Sequence, residues 1–368
     1  MTLRVLMTAD ALGGVWQYAT DLAAALQPLG VETVLAILGP APCPAQRQAV
    51  SRIPGLKLVR TGLPLDWLCD GPAPMLAAGE AIAELAHSER VDLIQLNMPS
   101  LGARARFPVP VVAVMHGCVG TWWEAAKGTR PDAAYAWQDA LVRAGLMAAD
   151  AAVAPSASYA ETVARYHTLG TAPLVVHNGR APLSLPAVAA TPARHVFTAG
   201  RLWDEVKAVP LLDRTAARLT VPFRAAGCGD GPHGERLALT HLDRLGQLGL
   251  PAMARELARR PIFVSAARFE PFGLAVLEAA QAGCALVLSG IDTFRELWSG
   301  AALFVDEQTD TAYADAIERI LADPTLRANL GEAARIRAQR YTPATMAGAM
   351  ASIYGGLAGS AEPRQVAA

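Results

Sequence analysis

Strand-length apolar runs recur along this chain, each broken by glycine or proline and followed by a segment of helical periodicity. The first, Leu3-Arg4-Val5-Leu6-Met7-Thr8, stops at Ala9-Asp10-Ala11-Leu12-Gly13-Gly14. Val15, Ala19, Leu22 and Leu26 then follow at helical spacing up to Pro28-Leu29-Gly30, and Val31 to Leu38 is the next β-rich run. Parallel strands need long crossovers, so this alternation points to an α/β fold built on parallel sheets. The runs at 91–96, 111–115, 151–154 and 174–176 continue the pattern. It pauses at 180–193, RAPLSLPAVAATPA, a proline-rich linker candidate, and restarts at 195–200, 221–226, 262–264 and 285–288. Helices are expected near 311–322 and 326–340, and a last one carries Met346, Ala349, Met350, Ile353, Tyr354 and Leu357 on one face. The expected division is therefore 1–182 and 183–342, two Rossmann-like α/β/α domains facing across a cleft. Residues 343–368 add a final helix and a tail that frays over 359–368.

Composition removes several classes of function. In 368 residues, 32 Lys+Arg stand against 33 Asp+Glu, a net charge of −1, so no global basic field is available to hold nucleic acid. Residues 1–180 carry 13 basic and 14 acidic side chains, which neither supports nor excludes peripheral contact with an anionic membrane. No apolar stretch reaches the length of a spanning helix, and the opening MTLRVLMTAD meets Asp10 too early for a signal peptide. Five scattered cysteines without a CxxC suit a reducing cytoplasm and give no zinc-site spacing. Only Lys57, Lys127 and Lys207 are lysines, a skew that with the abundant alanine reads as GC-rich bacterial coding.

The residues most suggestive of chemistry lie in Glu270-Pro271-Phe272-Gly273-Leu274-Ala275-Val276-Leu277-Glu278, after the 262–264 run and at the head of an apolar helix. The amides of Phe272, Gly273 and Leu274 are expected in the first helical turn, where unpaired N–H groups and the helix dipole favour a phosphate. Gly273 lets the backbone approach it, and Glu278 can accept from both hydroxyls of a ribose. Taken alone, the two glutamates read better as a dipole-stabilised acid and a solvated helix acid than as a binding pair. With its flanks, SAARFEPFGLAVLEAAQAGCALVLS, the segment resembles the E-x7-E region of glycosyltransferase family 4, retaining enzymes of the GT-B fold. The resemblance implies that Glu270 meets the donor sugar near its 3- and 4-hydroxyls and that Glu278 binds the nucleotide ribose. It also implies that the last helix, around 343–357, crosses back to the first domain.

Other segments fit the same picture. In GRLWDEVKAV, Arg201 offers a planar fork and Lys207 a mobile point charge. Together they could neutralise a diphosphate leaving group in place of a metal ion, or could simply be two solvated cations. In the family pattern the lysine follows the arginine by five and glycine comes next; here Lys207 follows Arg201 by six and Ala208 comes next. Gly13-Gly14 at a helix N-terminus can meet a phosphate or form a plain turn, and the resemblance implies closure over the donor diphosphate. His116 ends a strand run where parallel sheets present ligand contacts, and could also be a simple cap; the family places a histidine here beside the donor sugar. Gly229 in GCGDG matches a family turn that lines the base, or is an ordinary turn. Trp122 and Trp123, in a glycine-bounded segment, could stack on an acceptor sugar, and Arg104, Arg106 and Phe107 could form an acceptor-side patch.

The expectation is a retaining, metal-independent transferase that moves a hexose from a nucleoside-diphosphate sugar, UDP-linked for preference, to a hydroxyl on a polysaccharide, glycolipid or small molecule. No H-E-x-x-H, nucleophile elbow, Walker A or D-x-D motif is visible. A phosphorylase or synthase, a nucleotide-sugar epimerase and an inactive sugar-nucleotide-binding protein share the scaffold. A dinucleotide oxidoreductase would need a G-x-G-x-x-G that residues 10–15 lack.

Overall fold

The computed structural model describes residues 2–186, 191–232 and 234–359. It divides into two compact units, Met1–Arg180 with Thr342–Ala368, and Ala181–Tyr341. The tail expected to fray lies outside the described residues beyond Gly359, as do positions 187–190 of the linker candidate.

The first unit is built on a seven-stranded, wholly parallel sheet. Its strands are β1 (Leu3–Asp10), β2 (Val31–Leu38), β3 (Leu56–Arg60), β4 (Leu93–Leu96), β5 (Val111–Val114), β6 (Ala151–Ala154) and β7 (Leu174–Val175), in the order β3-β2-β1-β4-β5-β6-β7. β4 and β5 are buried at every position because helices cover both faces, whereas both residues of the edge strand β7 are exposed. One face packs Trp16, Ala19, Leu22 and Leu26 of the Gly14–Leu26 helix together with Met346, Met350 and Tyr354 of the Pro343–Gly359 helix. The other face takes Met75, Ala78 and Ile82 of the Ala73–Ser88 helix, and Phe107 with them. Phe107 is therefore core, and only Arg104 and Arg106 of the expected acceptor-side patch are exposed.

The second unit repeats the scheme with six parallel strands: β8 (Val196–Ala199), β9 (Phe223–Ala226), β10 (Asp243–Gly246), β11 (Ile262–Ser265), β12 (Leu286–Ser289) and β13 (Leu303–Val305). Their order is β10-β9-β8-β11-β12-β13. In each sheet the chain starts in the middle, winds to one edge and then the other. The reversal falls between β1 and β4 in one unit and between β8 and β11 in the other, where carboxyl-end loops diverge and leave room for a ligand.

The return of the chain to the first unit needs a glycine. Gly179 donates its N–H to Met346 Sδ at 3.2 Å, and a Cβ at Gly179 would strike the Thr342 carbonyl and come within 2.7 Å of Pro343 N. Backbone atoms cannot swing aside as a side chain can. Gly179→Ala is expected to destabilise the first unit by about 1–3 kcal/mol. An unchanged thermal midpoint would show that the 342–343 segment is free to move away.

Candidate functional site

In the second unit the candidate residues collect at the carboxyl edge of β8 and β11. After β8 the chain passes Gly200 and Arg201 and makes one tight turn at Glu205–Lys207, capped by Asp204 Oδ1, which accepts from Val206 N at 3.3 Å. The loop after β11 is tied to that turn, since Arg268 N donates to Val206 O at 2.7 Å. This brings Lys207 Nζ within 2.6 Å of Glu270 Oε2, with each side chain about one-fifth exposed (19% and 20%). The two residues thus share one hydrogen-bonded ion pair. Arg201 points its guanidinium elsewhere: Nη2 donates to the buried carboxylate of Asp204 at 2.8 Å, and the group lies 5.7 Å from the Trp203 ring centroid.

The helix after Glu270 runs from Leu274 to Gln281, with Gly273 as its N-cap at φ +93°. Of the three amides expected in the first turn, only that of Leu274 lies there. The left-handed turn at Gly273 starts the helix later, so Ala275 and Val276 supply the other unpaired donors. Phe272 precedes the turn, and its ring is core, edge-on to Tyr341 at 5.5 Å. Glu278 lies one turn into the helix and is partly exposed. Gly229 sits in a turn where Leu237 N donates to its carbonyl at 3.0 Å, and a Cβ would crowd the Arg244 guanidinium.

The first unit contributes its own carboxyl-edge cluster. Asp10 Oδ1 accepts from Leu12 N at 2.8 Å and shapes the turn into Gly13-Gly14 at the head of the Gly14–Leu26 helix. Gly13 is extended at φ −157°, and a Cβ there would meet nothing within 4 Å. Neither backbone nor packing demands a glycine at that position. His116 follows β5, with Nε2 3.0 Å from Asn97 Oδ1 and its ring edge-on to Tyr18 at 4.4 Å. Burial pushes the imidazole down to about 3, so it is neutral at ordinary pH.

Asn97 was not singled out from the sequence, although it stands just past β4, where a carboxyl-edge residue is a natural candidate. It donates Nδ2 to Thr8 O at 2.7 Å and receives Gln95 Nε2 at 2.9 Å; Gln95 in turn accepts the Tyr354 hydroxyl and donates to Tyr18 at 3.3 Å. Trp122 and Trp123 lie in a helix, Val119–Lys127. Trp123 stacks at a tilt on Tyr135 at 5.3 Å and meets Trp122 edge-on at 6.2 Å.

Comparison with known proteins agrees with this architecture. The pattern described as Glycosyltransferase Family 4 matches residues 12–181, and that described as Glycosyl transferases group 1 matches 193–323. Glycogen synthase of Mycobacterium tuberculosis is 28% identical over 315 residues, covering 76% of this chain and 73% of the relative. Sucrose-phosphate synthase from Thermosynechococcus elongatus superposes with a TM-score of 0.78 at 19% identity, covering 98% of this chain and 100% of the other. HepE from Anabaena, solved with UDP-glucose, gives 0.74 at 18% identity over 96% and 100% of the two chains. The chain belongs to the family 4, group 1 glycosyltransferases and has their GT-B fold of two Rossmann-like domains. No helix among the described residues is long and apolar enough to cross a membrane.

Two expectations follow from this geometry. Ala208, where the family pattern carries glycine, is held at φ +51° between the Lys207 turn and the Val209–Ala216 helix. The left-handed region costs a β-carbon about 1–2 kcal/mol. Ala208→Gly is therefore expected to stabilise the second unit, by about 1 kcal/mol once the extra unfolded-state freedom of glycine is subtracted; a fall in the denaturation midpoint would refute the strain. The second concerns acid. His116 at about 3 and His167 at about 4, both lowered by burial, lie below their ordinary unfolded value. The unfolded chain then binds protons first on acidification. Their contribution is complete above about pH 6.5, declines below it as the unfolded chain takes up protons, and is fully lost once pH has fallen through 4 toward 3. Calorimetry from pH 7 to pH 4.5 should show a falling midpoint for the first unit, and a flat profile would contradict the burial of these rings.

Proposed function

We propose that this glycosyltransferase moves a hexose from UDP-sugar to a hydroxyl acceptor with retention of anomeric configuration, without an essential metal ion, in the cytoplasm. The observation that carries the reading is the Lys207–Glu270 pair beside the head of the Leu274–Gln281 helix. It places an ammonium, a carboxylate and unpaired amides together at the β8/β11 reversal. A diphosphate would draw Lys207 Nζ and take the amides of Leu274, Ala275 and Val276. Glu270, relieved of its partner, would accept from sugar hydroxyls, and Glu278 would hold the ribose. Arg201, whose guanidinium keeps further N–H groups beside the one given to Asp204, would add a second positive charge. In the first domain, Gly13-Gly14 would meet the donor phosphates and His116 the sugar.

The reaction is a same-face displacement. The bond from the anomeric carbon to the diphosphate oxygen breaks, the acceptor oxygen bonds to that carbon on the same face, and the departing phosphate takes the acceptor proton. The cations and helix amides stabilise the negative charge as it develops, which is where most of the rate enhancement arises. The UDP-glucose in the HepE structure supports a uridine donor. The names glycogen synthase and sucrose-phosphate synthase make glucan and sugar phosphate the first acceptors to try, with Trp122 and Trp123 as candidate stacking surfaces. A cytoplasmic setting accords with five unpaired thiols, of which Cys43 and Cys228 are exposed.

Thermal shift with UDP, GDP and ADP and their glucose conjugates, each with EDTA, tests the donor. UDP is expected to raise the midpoint in EDTA through linkage; a shift that requires magnesium would overturn metal independence. With the acceptor in hand, Lys207→Ala should lower turnover roughly 10²–10³-fold, and undiminished turnover would remove Lys207 from the leaving-group site. Gly13→Ala should leave the thermal midpoint in place while raising the donor KM, because the fold has room for a β-carbon and the phosphate does not.

A further inference from the structure

The polar cluster at the carboxyl edge of β1, β4 and β5 has only one consistent arrangement of protons. Asn97 Nδ2 lies 2.7 Å from the carbonyl oxygen of Thr8, which can only accept, so the amide must present its NH2 to β1 and its Oδ1 to the other side. The backbone N–H of Asn97 is held as well, donating to Thr8 Oγ1 at 3.0 Å. Oδ1 has no proton to give. Gln95 Nε2 at 2.9 Å and His116 Nε2 at 3.0 Å must therefore both donate to it. That orients Gln95 with Oε1 toward Tyr354, whose hydroxyl donates.

A neutral imidazole has one ring proton, and the cluster locates it on Nε2. Nδ1 then carries a lone pair. It makes no hydrogen bond among the described residues, and it is not among the enclosed polar atoms that lack a partner.

We propose that Asn97 is a positioning residue that fixes His116 in the Nε2–H form, so that Nδ1 accepts a hydrogen bond from a hydroxyl of the donor sugar. The proposal rests on the placement of His116 beside that sugar. It makes the site selective for a group that can donate. A hydroxyl satisfies Nδ1, whereas fluorine at the same carbon sets one lone pair against another.

Histidine-selective 15N labelling tests the first half without any ligand, with the His116 signals assigned by their loss in His116→Gln. The wild type is expected to show a protonated Nε2 and a bare Nδ1 at pH 7, and the opposite form would overturn the proposal. Asn97→Leu, which removes the acceptor while keeping an apolar side chain, should give a mixture of the two forms; an unchanged Nε2–H signal would overturn the role of Asn97. Should that variant fail to fold, Asn97→Asp is the second test. The carboxylate still offers Nε2 an acceptor, so the ring should keep its proton on Nε2, and a neutral ring protonated on Nδ1 instead would again overturn the role.

The second half is read in donor binding. Across monodeoxyfluoro UDP-glucoses, one fluorine position should weaken binding to the wild type about five- to tenfold, the worth of one neutral hydrogen bond. The same position should be better tolerated by Asn97→Leu. Equal loss in both proteins would overturn the contact between Nδ1 and sugar, since a merely structural Asn97 would move the thermal midpoint and leave this selectivity alone. If the wild type binds no UDP-sugar, the functional reading fails by itself, and the ring-nitrogen result still decides what Asn97 does.

Discussion

Parallel pairing is the constraint on which the rest of the molecule depends. A strand cannot turn directly into a parallel neighbour, so every strand of both sheets ends at the same edge and hands the chain to a loop before the crossover begins. Most of the polar candidates described here stand in the loops at such ends, Glu278 in the helix being the exception. Asp10 closes β1, Asn97 comes just past β4, His116 follows β5, Arg201 follows β8 and Glu270 follows β11. The strands themselves are nearly free of chemistry because helices bury both their faces.

At those ends, the chain holds charge by pairing it locally. Asp204 is buried and takes one N–H of Arg201, while Lys207 and Glu270 hold each other. Partly buried pairs of this kind contribute little net stability, because the cost of drawing each ion from water offsets most of the attraction. Their value is conformational: they keep long side chains near one geometry. The left-handed turns at Ala208 and Gly273 serve the same end by aiming the two loops that carry Lys207 and Glu270.

Much of this was legible in the sequence, and the exceptions have physical reasons. β2 and β6 fall where their apolar runs do, and the E-x7-E segment identified the second-domain loop. β10 was not legible because Asp243-Arg244-Leu245-Gly246 is a largely exposed edge strand with no apolar run to mark it. β13 has three residues, too few for any periodicity, and β3 alternates over only five. The start of the Leu274–Gln281 helix was misplaced because a left-handed glycine looks in the sequence like an ordinary member of the first turn. The ion pair joins residues 63 apart, and Asn97 meets Thr8 across 89. A polar residue after a strand takes on a role only when the fold supplies its neighbour, and no local pattern records that neighbour.

The C-terminal helix has a consequence for the order in which the molecule can be made. Met346, Met350 and Tyr354 complete the core of the first unit, so the face formed by Trp16, Ala19 and Leu22 stays uncovered while residues 181–341 are synthesised. Those intervening residues are contiguous and can close their own cores as they emerge. On the ribosome the unit begun first is thus the one finished last, and for most of translation its apolar face depends on whatever else in the cell can shield it.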